Sequence, residues 1–404
     1  MDAAAVHPTA AESLIAFEVR QPCGPFDTVL EEGAFPPWIS PRLSLPPRLG
    51  TGHLNVMGWN SFFESHFEEV KRTGLTPARV VEEFKGFFRV KSAQAEYLAE
   101  TAGKVQHQAV SREDFPAVGD WVAIIARPEE GRARIEHILP RRTKLARKVA
   151  GREMSEQIVA TNLDTVFVVS ALNREFNLRR IERYLTIVWD SGARPVVLLN
   201  KADLCPDAPA RAAEVESVAL GTPVHLLSAL EKTGLEALRK YVPRGTTAAF
   251  VGSSGVGKST IINGLADAAL RVQAVREPDD RGQHTTTSRQ MIFLSAGGML
   301  IDTPGMRELQ LWNHEAGAAQ AFEDIANLSA DCKFRDCGHQ GEPGCAVSAA
   351  IQQGELAFER LENYGKLLAE LRFQERKVNP EVARQDKEKW RKIHKAMRLR
   401  PDRF

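Results

Sequence analysis

Long apolar runs are the first thing this 404-residue chain lacks: no stretch of eighteen consecutive apolar residues occurs, so no helical membrane span is expected. The N-terminus has no basic region followed by an apolar core, so no secretory signal is expected and the chain reads as cytoplasmic. Cysteine is scarce. Three of the five cysteines fall between 332 and 345, which argues against a disulfide scaffold and for a metal site in a reducing compartment, with Cys23 and Cys205 as free thiols. An excess of one charge is lacking too: 53 Lys+Arg against 52 Asp+Glu leave +1, the balance of an ordinary soluble protein, so any basic character is local. There is no internal repeat, and the length suits two or three domains with a monomer expected.

What is present centres on Gly252-Ser253-Ser254-Gly255-Val256-Gly257-Lys258-Ser259-Thr260, the phosphate-loop pattern. The β-prone run 246–251 before it and the helical spacing of Ile261, Ile262 and Leu265 after it give strand, glycine loop, helix. The glycines let backbone N–H groups turn toward phosphate oxygens at a helix N-terminus that favours anions. Lys258 reaches the β- and γ-phosphates and Ser259 ligates Mg²⁺ in this pattern. A glycine-rich turn between unrelated elements would not require this combination.

Asn200-Lys201-Ala202-Asp203 follows the apolar run 195–199 and matches the guanine-reading motif, in which a carboxylate accepts from two N–H groups that adenine cannot offer. Ser228-Ala229-Leu230 resembles the second guanine loop. Asp302-Thr303-Pro304-Gly305, after the apolar 299–301, resembles switch II, with Asp302 toward Mg²⁺ through water and the Gly305 N–H toward the γ-phosphate. Gly282 to Thr287 lies where switch I offers a threonine to Mg²⁺, one of Thr285, Thr286 and Thr287, with Thr286 favoured. An ordinary GTPase runs from phosphate loop to switches to guanine motifs. Here the guanine motifs come first, so the chain reads as circularly permuted, an order that leaves the doubly wound sheet and its crevice intact.

Cys332, Cys337, His339 and Cys345 supply three thiolates and one imidazole, a closed tetrahedral set of the structural kind, for one Zn²⁺. The permuted order, the His284-Thr285-Thr286-Thr287 switch and this cluster together resemble the RsgA (YjeQ) family of ribosome-assembly GTPases, from about Leu54 to the C-terminus. The resemblance implies GTP hydrolysis coupled to late maturation of the small ribosomal subunit, with the subunit and its rRNA, GTP/GDP and other assembly factors as partners. The fold it implies is multidomain α/β: an N-terminal OB-type β-barrel, a permuted phosphate-loop GTPase and a helical zinc domain.

Along the chain, residues 1–50 are proline-rich and read as a disordered extension, or as sequence upstream of a shorter protein starting near Met57. Trp59, Phe62, Phe63 and Phe67 recur at helical spacing, giving a helical segment over 51–83. Short alternating runs at 86–90, 96–100, 104–110, 119–126 and 134–139 suit an OB-fold over 84–147. Residues 141–148 hold five basic residues, read as a phosphate-contacting patch rather than a solvated linker. The GTPase domain is expected over 155–312, with helices at 178–189 and 231–241 and a hairpin around Gly297-Gly298. A zinc-binding and basic helical region follows over 313–404. From Arg372 to Arg403, twelve Lys/Arg stand against five Asp/Glu, an rRNA-facing tail.

After the switch II glycine stands Met306, where Ras-like enzymes carry the water-orienting glutamine. Slow intrinsic hydrolysis is therefore expected, with Lys258 and a neutral His284 imidazole as the catalytic candidates. An exposed switch histidine touching RNA or nothing fits His284 equally well. So do two other functions for the chain as a whole: a nucleotide-switched rRNA-binding placeholder with incidental hydrolysis, or a permuted GTPase acting on another RNA.

Overall fold

The computed structural model describes residues 52–71, 74–84, 86–148, 156–174, 176–266, 289–302, 315–379, 381–385, 387–388 and 391. Two short helices, α1 (Gly52–Val56) and α2 (Ser61–Val70), open the described chain; the Asn60 side chain caps α2 by accepting from Phe62 N and Phe63 N. Their aromatics pack rather than face solvent: Trp59 stacks on Phe63 and meets Trp121 edge-on, 4.7 Å between centroids.

Five strands then close a barrel: β1 (Leu75–Glu83), β2 (Phe88–Ser92), β3 (Glu96–Thr101), β4 (Trp121–Arg127) and β5 (Arg132–Ile138). Pairing runs β1–β2–β3–β5–β4 and back to β1, parallel only between β3 and β5. Its interior takes alternate residues of each strand: Ala78 and Val80, Phe88 and Val90, Tyr97 and Ala99, Val122 and Ile124, Ala133 and Ile135. Two expectations fail here. The helical segment read over 51–83 ends at Val70. Gly74 breaks the chain at φ 87°, and β-prone residues 75–83 make the first barrel strand. The strand read at 104–110 is instead α3 (Gly103–Gln108), an exposed turn with no buried residue, so its weak alternation never met a pleated face.

A two-stranded antiparallel ribbon, β6 (Lys144–Lys148) and β7 (Glu156–Thr161), follows the barrel. The basic run 141–148 is therefore partly consumed by the fold. Arg141 clamps the fully buried Asp120 carboxylate at 2.7 and 2.8 Å and also bonds Glu113 O and Phe115 O, while Lys144 pairs with Glu113 at 2.8 Å. Burying Asp120 without a cation would leave an uncompensated charge, which explains where Arg141 goes.

The doubly wound part comprises β8 (Thr165–Ala171), α4 (Leu178–Asp190), β9 (Arg194–Asn200), α5 (Ala208–Val218), β10 (Val224–Leu226), β11 (Thr247–Val251), α6 (Lys258–Leu265), β12 (Arg289–Phe293) and β13 (Met299–Asp302). Strand order is β10-β9-β8-β11-β13-β12, all parallel except β12. Both faces are buried, as a parallel sheet requires. Val166, Val168, Ala249 and Val251 point to one side with α4, and Phe167, Val169, Ala248 and Phe250 to the other with α6. The helix read over 231–241 is only a 3₁₀ turn from Glu236 to Tyr241. Beyond β12 the sheet continues into β1 of the barrel through Glu82–Gln290 and Glu83–Arg289.

The C-terminal part is helical: α7 (Glu315–Ala321), α8 (Glu323–Ala330), α9 (Ala346–Gln353) and α10 (Phe358–Val378). α7 lies so close on α4 that a Cβ at Gly317 would overlap the Thr186 carbonyl. Among the described residues no helix is long and apolar enough to cross a membrane.

Candidate nucleotide site and metal centre

The phosphate-loop residues leave β11 and enter α6 at the C-terminal edge of the sheet, the edge where doubly wound folds place ligands. Gly252, Gly255 and Gly257 all have left-handed φ, of 148°, 78° and 101°. A Cβ at Gly252 would overlap Val169 O, and one at Gly257 would overlap the Asn200 amide nitrogen. The loop therefore needs glycine for close approach to its neighbours as well as for its turns. The Lys258 ammonium donates to the carbonyls of both Gly252 and Ser253 at 2.7 Å, which uses two of its three N–H groups. Burial lowers the Lys258 pKa, opposed by the charge of Asp302 at the end of β13. Ser254, Gly255, Ser259 and Thr260 are exposed, and Val256 is buried.

The guanine-motif residues meet this loop directly. Asn200, at the end of β9 and buried, donates from Nδ2 to Val256 O at 2.7 Å and accepts at Oδ1 from Ala229 N at 2.9 Å. One amide thus joins all three loops. Lys201, at left-handed φ 64°, lays its ammonium on Gly255 O at 2.9 Å. Ala202 and Asp203 begin a 3₁₀ turn that leaves the Asp203 carboxylate exposed. Ser228 is buried and accepts from Glu231 N, while Leu204 and Leu230 are exposed beside it on the two guanine loops. A glycine loop at the start of a helix, tied to a loop with an exposed carboxylate, is an arrangement that suits a guanine nucleotide. His284, Thr285 and Thr286 of switch I, and Gly305 and Met306 of switch II, lie outside the described residues, as do residues 1–50, Cys23 and half of the basic tail.

Sequence reasoning missed Arg180. In the first turn of α4, capped by Asn177, its guanidinium donates to Ser253 Oγ at 3.0 Å. No motif marks it, because the contact spans 73 residues.

The second cluster lies between α8 and α9. Cys332, Cys337, His339 and Cys345 bring their donor atoms within 4.8 Å of one another. Cys332 Sγ and Cys345 Sγ are 3.9 Å apart, and His339 Nδ1 lies 3.7 and 3.5 Å from them. A tetrahedral ion with thiolate bonds of about 2.3 Å has sulfur–sulfur edges of about 3.8 Å, so the donor set fits a metal. The imidazole tautomer follows from a relay. The Ser329 hydroxyl donates to Ile325 O at 2.6 Å, so its oxygen accepts from His339 Nε2 at 3.0 Å and leaves Nδ1 as the ligand. Burial opposes the Cys345 thiolate, yet hydrogen bonds led by those from Ser348 at the start of α9 outweigh it and bring the pKa down to about 6. His339 adopts left-handed φ 57°, and Glu342 ties the loop by accepting from Gly338 N and Gln340 N.

A family model described as RsgA GTPase matches residues 138–312. The relative from Opitutus terrae, named small ribosomal subunit biogenesis GTPase RsgA, is 44% identical over 357 residues, covering 86% of this chain and 97% of its own. The protein of the same name from Methanosarcina acetivorans is 45% identical over 341 residues, covering 84% and 91%. Among solved structures, YjeQ from Thermotoga maritima aligns with a TM-score of 0.56 at 27% identity, over 74% of this chain and 98% of that one. YloQ, described as a circularly permuted GTPase, shares the fold at TM-score 0.55 and 24% identity, over 75% and 96%. With a phosphate loop, guanine motifs ahead of it, a barrel before and a Cys₃His cluster behind, the chain belongs to the RsgA GTPase family and is a circularly permuted GTP hydrolase.

Proposed function

We propose that this GTPase binds the small (30S) ribosomal subunit and assists its late maturation, hydrolysing GTP slowly alone and faster on the subunit, with release of assembly factors coupled to nucleotide state. The observation that carries the ribosomal part is the agreement with relatives named small ribosomal subunit biogenesis GTPases over nearly their whole length, 97% for the Opitutus terrae protein. The GTP part rests on the clamp through which Asn200 and Lys201 hold the guanine loop against the phosphate loop.

In this reading Asp203 reads the guanine edge, and Ala202, Ser228 and Ala229 shape the base pocket. The loop amides from Ser253 to Thr260 and the Lys258 ammonium hold the phosphates. Ser259, Asp302 and Thr285 or Thr286 would hold Mg²⁺, which would supply positive charge to the phosphates. Gly305 senses the γ-phosphate, and His284 positions the water that Met306 cannot. Cys332, Cys337, His339 and Cys345 bind one structural Zn²⁺, the ion that a closed thiolate-rich tetrahedron favours. The domain division that goes with this reading is the N-terminal helices, a barrel from Leu75, the permuted GTPase core from about 155 and the zinc-binding helical region from about 313.

The test is steady-state GTP hydrolysis with and without purified small ribosomal subunits, large subunits serving as control, for the wild type and His284→Ala. Stimulation by small subunits alone is expected, and its loss in His284→Ala at unchanged GTP affinity. Equal rates with either subunit would sink the ribosomal reading, and full stimulation of the variant would remove His284 from the mechanism.

A further inference from the structure

We infer that Arg180 is a phosphate-contacting residue of the hydrolysis reaction, a guanidinium supplied by α4 to the γ-phosphate. The inference rests on GTP hydrolysis and not on the ribosomal partner. β8 and β11 are parallel neighbours, so the turn from β8 into α4 and the phosphate loop leave the sheet at the same edge. There the two cations converge on one residue: Ser253 gives its carbonyl to Lys258 at 2.7 Å and its hydroxyl to Arg180 at 3.0 Å. Two positive side chains beside a loop built for phosphates concentrate positive potential where the charge of the transferring phosphoryl group develops.

Arg180 differs from its helix neighbours. Arg179 pairs with Glu362 at 3.1 Å, Arg183 pairs with Glu370, and Glu182 holds Arg360 at 2.8 Å. Among the described residues Arg180 has no carboxylate partner; its guanidinium is exposed and bonded only to the Ser253 hydroxyl. A neutral hydroxyl is a weak partner for a guanidinium, and a phosphate oxygen is a far stronger one. Glu182 on α4 is fixed to Arg360 and Asn363 of α10, and Arg360 in turn to Asp324 of α8, so the backbone that carries Arg180 is held in place. With Met306 in the glutamine position, the chain also has need of a charge at this point.

In the reaction, the water oxygen bonds to the γ-phosphorus as the bond from that phosphorus to the β–γ bridging oxygen breaks. The electron pair stays on GDP, and the water's proton leaves with inorganic phosphate. Arg180 stays protonated throughout and neutralises charge gathering on the γ-oxygens, the part an arginine plays when supplied in cis.

The experiment is single-turnover GTP hydrolysis by the full chain with Mg²⁺, alongside GDP affinity and thermal midpoint, for Arg180→Ala and Arg180→Lys. Arg180→Ala is expected to slow hydrolysis about 10²- to 10³-fold, the loss that follows removal of one donor to the developing charge, with GDP affinity within about threefold and an unchanged midpoint. Arg180→Lys, which keeps charge but not the fork, is expected to fall between the two. Hydrolysis by Arg180→Ala within a few-fold of wild type would overturn the inference. So would a loss of GDP affinity as large as the loss of rate, since Arg180 would then only brace the loop through Ser253.

Discussion

Asn200 shows how one side chain can do more than its motif suggests. The Asn-Lys-x-Asp pattern was legible because guanine recognition demands those residue types in sequence, but the pattern says nothing about Val256 and Ala229. Asn200 Nδ2 and Oδ1 satisfy both, across 56 and 29 residues. Asn200→Ala would leave the Val256 carbonyl and the Ala229 N–H buried without partners, at a cost of about 1–3 kcal/mol each. Part of that cost is relieved when the loops part, so GDP affinity is expected to fall about ten- to hundredfold with Asp203 untouched. Titration with a fluorescent GDP analogue measures it, and an affinity within twofold of wild type would mean that the loops hold their places without the clamp. Arg180 and Arg79 escaped sequence reading for the same reason. Arg79 is fully buried, with no carboxylate in contact among the described residues, bonded instead to the carbonyls of Met57, Gly119 and Asn162, and burial draws its pKa down to about 10 despite the charges of Asp164 and Asp120. Only the folded chain brings those carbonyls together.

At the scale of elements, the strands expected at 195–199 and 246–251 and the helix at 178–189 lay within a residue or two of their expected positions, because buried parallel strands read as continuous apolar runs bounded by glycine and proline, whereas the helix expected over 231–241 shrank to a 3₁₀ turn. The barrel was harder to read. Its strands are short and half polar, and the exposed α3 mimicked one of them while Leu75–Glu83 was absorbed into the aromatic helix pattern. The Cys₃His cluster was legible as four donor residues, which the fold brings together, and not at all in its support, since neither Ser329 nor Glu342 belongs to the spacing. Its dependence on metal can be separated from helix capping. Cys345 is a ligand in the proposed zinc site and also the N-cap of α9, where its sulfur accepts from Ser348 N at 3.3 Å. Serine caps helices well, so Cys345→Ser keeps the cap and removes the thiolate. Metal content, read by elemental analysis, is expected to fall from one ion per chain to less than a fifth. Amide exchange is expected to quicken across 332–345 and not in α4. Full metal content in the variant would exclude Cys345 from the ligand set.

For the whole molecule, the question is how the C-terminal helices are coupled to the nucleotide core. The answer lies in α4, whose one surface reaches the phosphate loop through Arg180 and whose other is fixed by Arg360. Arg360, almost fully buried, reaches the Glu182 carboxylate at 2.8 Å, Asp324 at 2.6 and 2.9 Å and Ala321 O at 2.9 Å, and lies over the Phe322 ring. Asn363 completes the Glu182 carboxylate at 3.0 Å. Burial raises the Glu182 pKa even against this pairing, so the desolvation of the carboxylate is only partly repaid. Such a network adds little net stability while intact and much instability when one member is removed. Arg360→Met is therefore expected to cost about 3–5 kcal/mol, because Glu182 and Asp324 lose their cation. The double variant Glu182→Gln/Arg360→Met, which deletes the buried pair, is expected to recover a large part of that loss. Chemical denaturation of the single and double variants measures the coupling, and additive losses would mean that the two side chains do not act as a pair. Because α4 also carries Arg180, Arg360→Met is expected to slow GTP hydrolysis more than it weakens GDP binding; hydrolysis and binding falling in step would show that the C-terminal helices support the core only as mass packed against it.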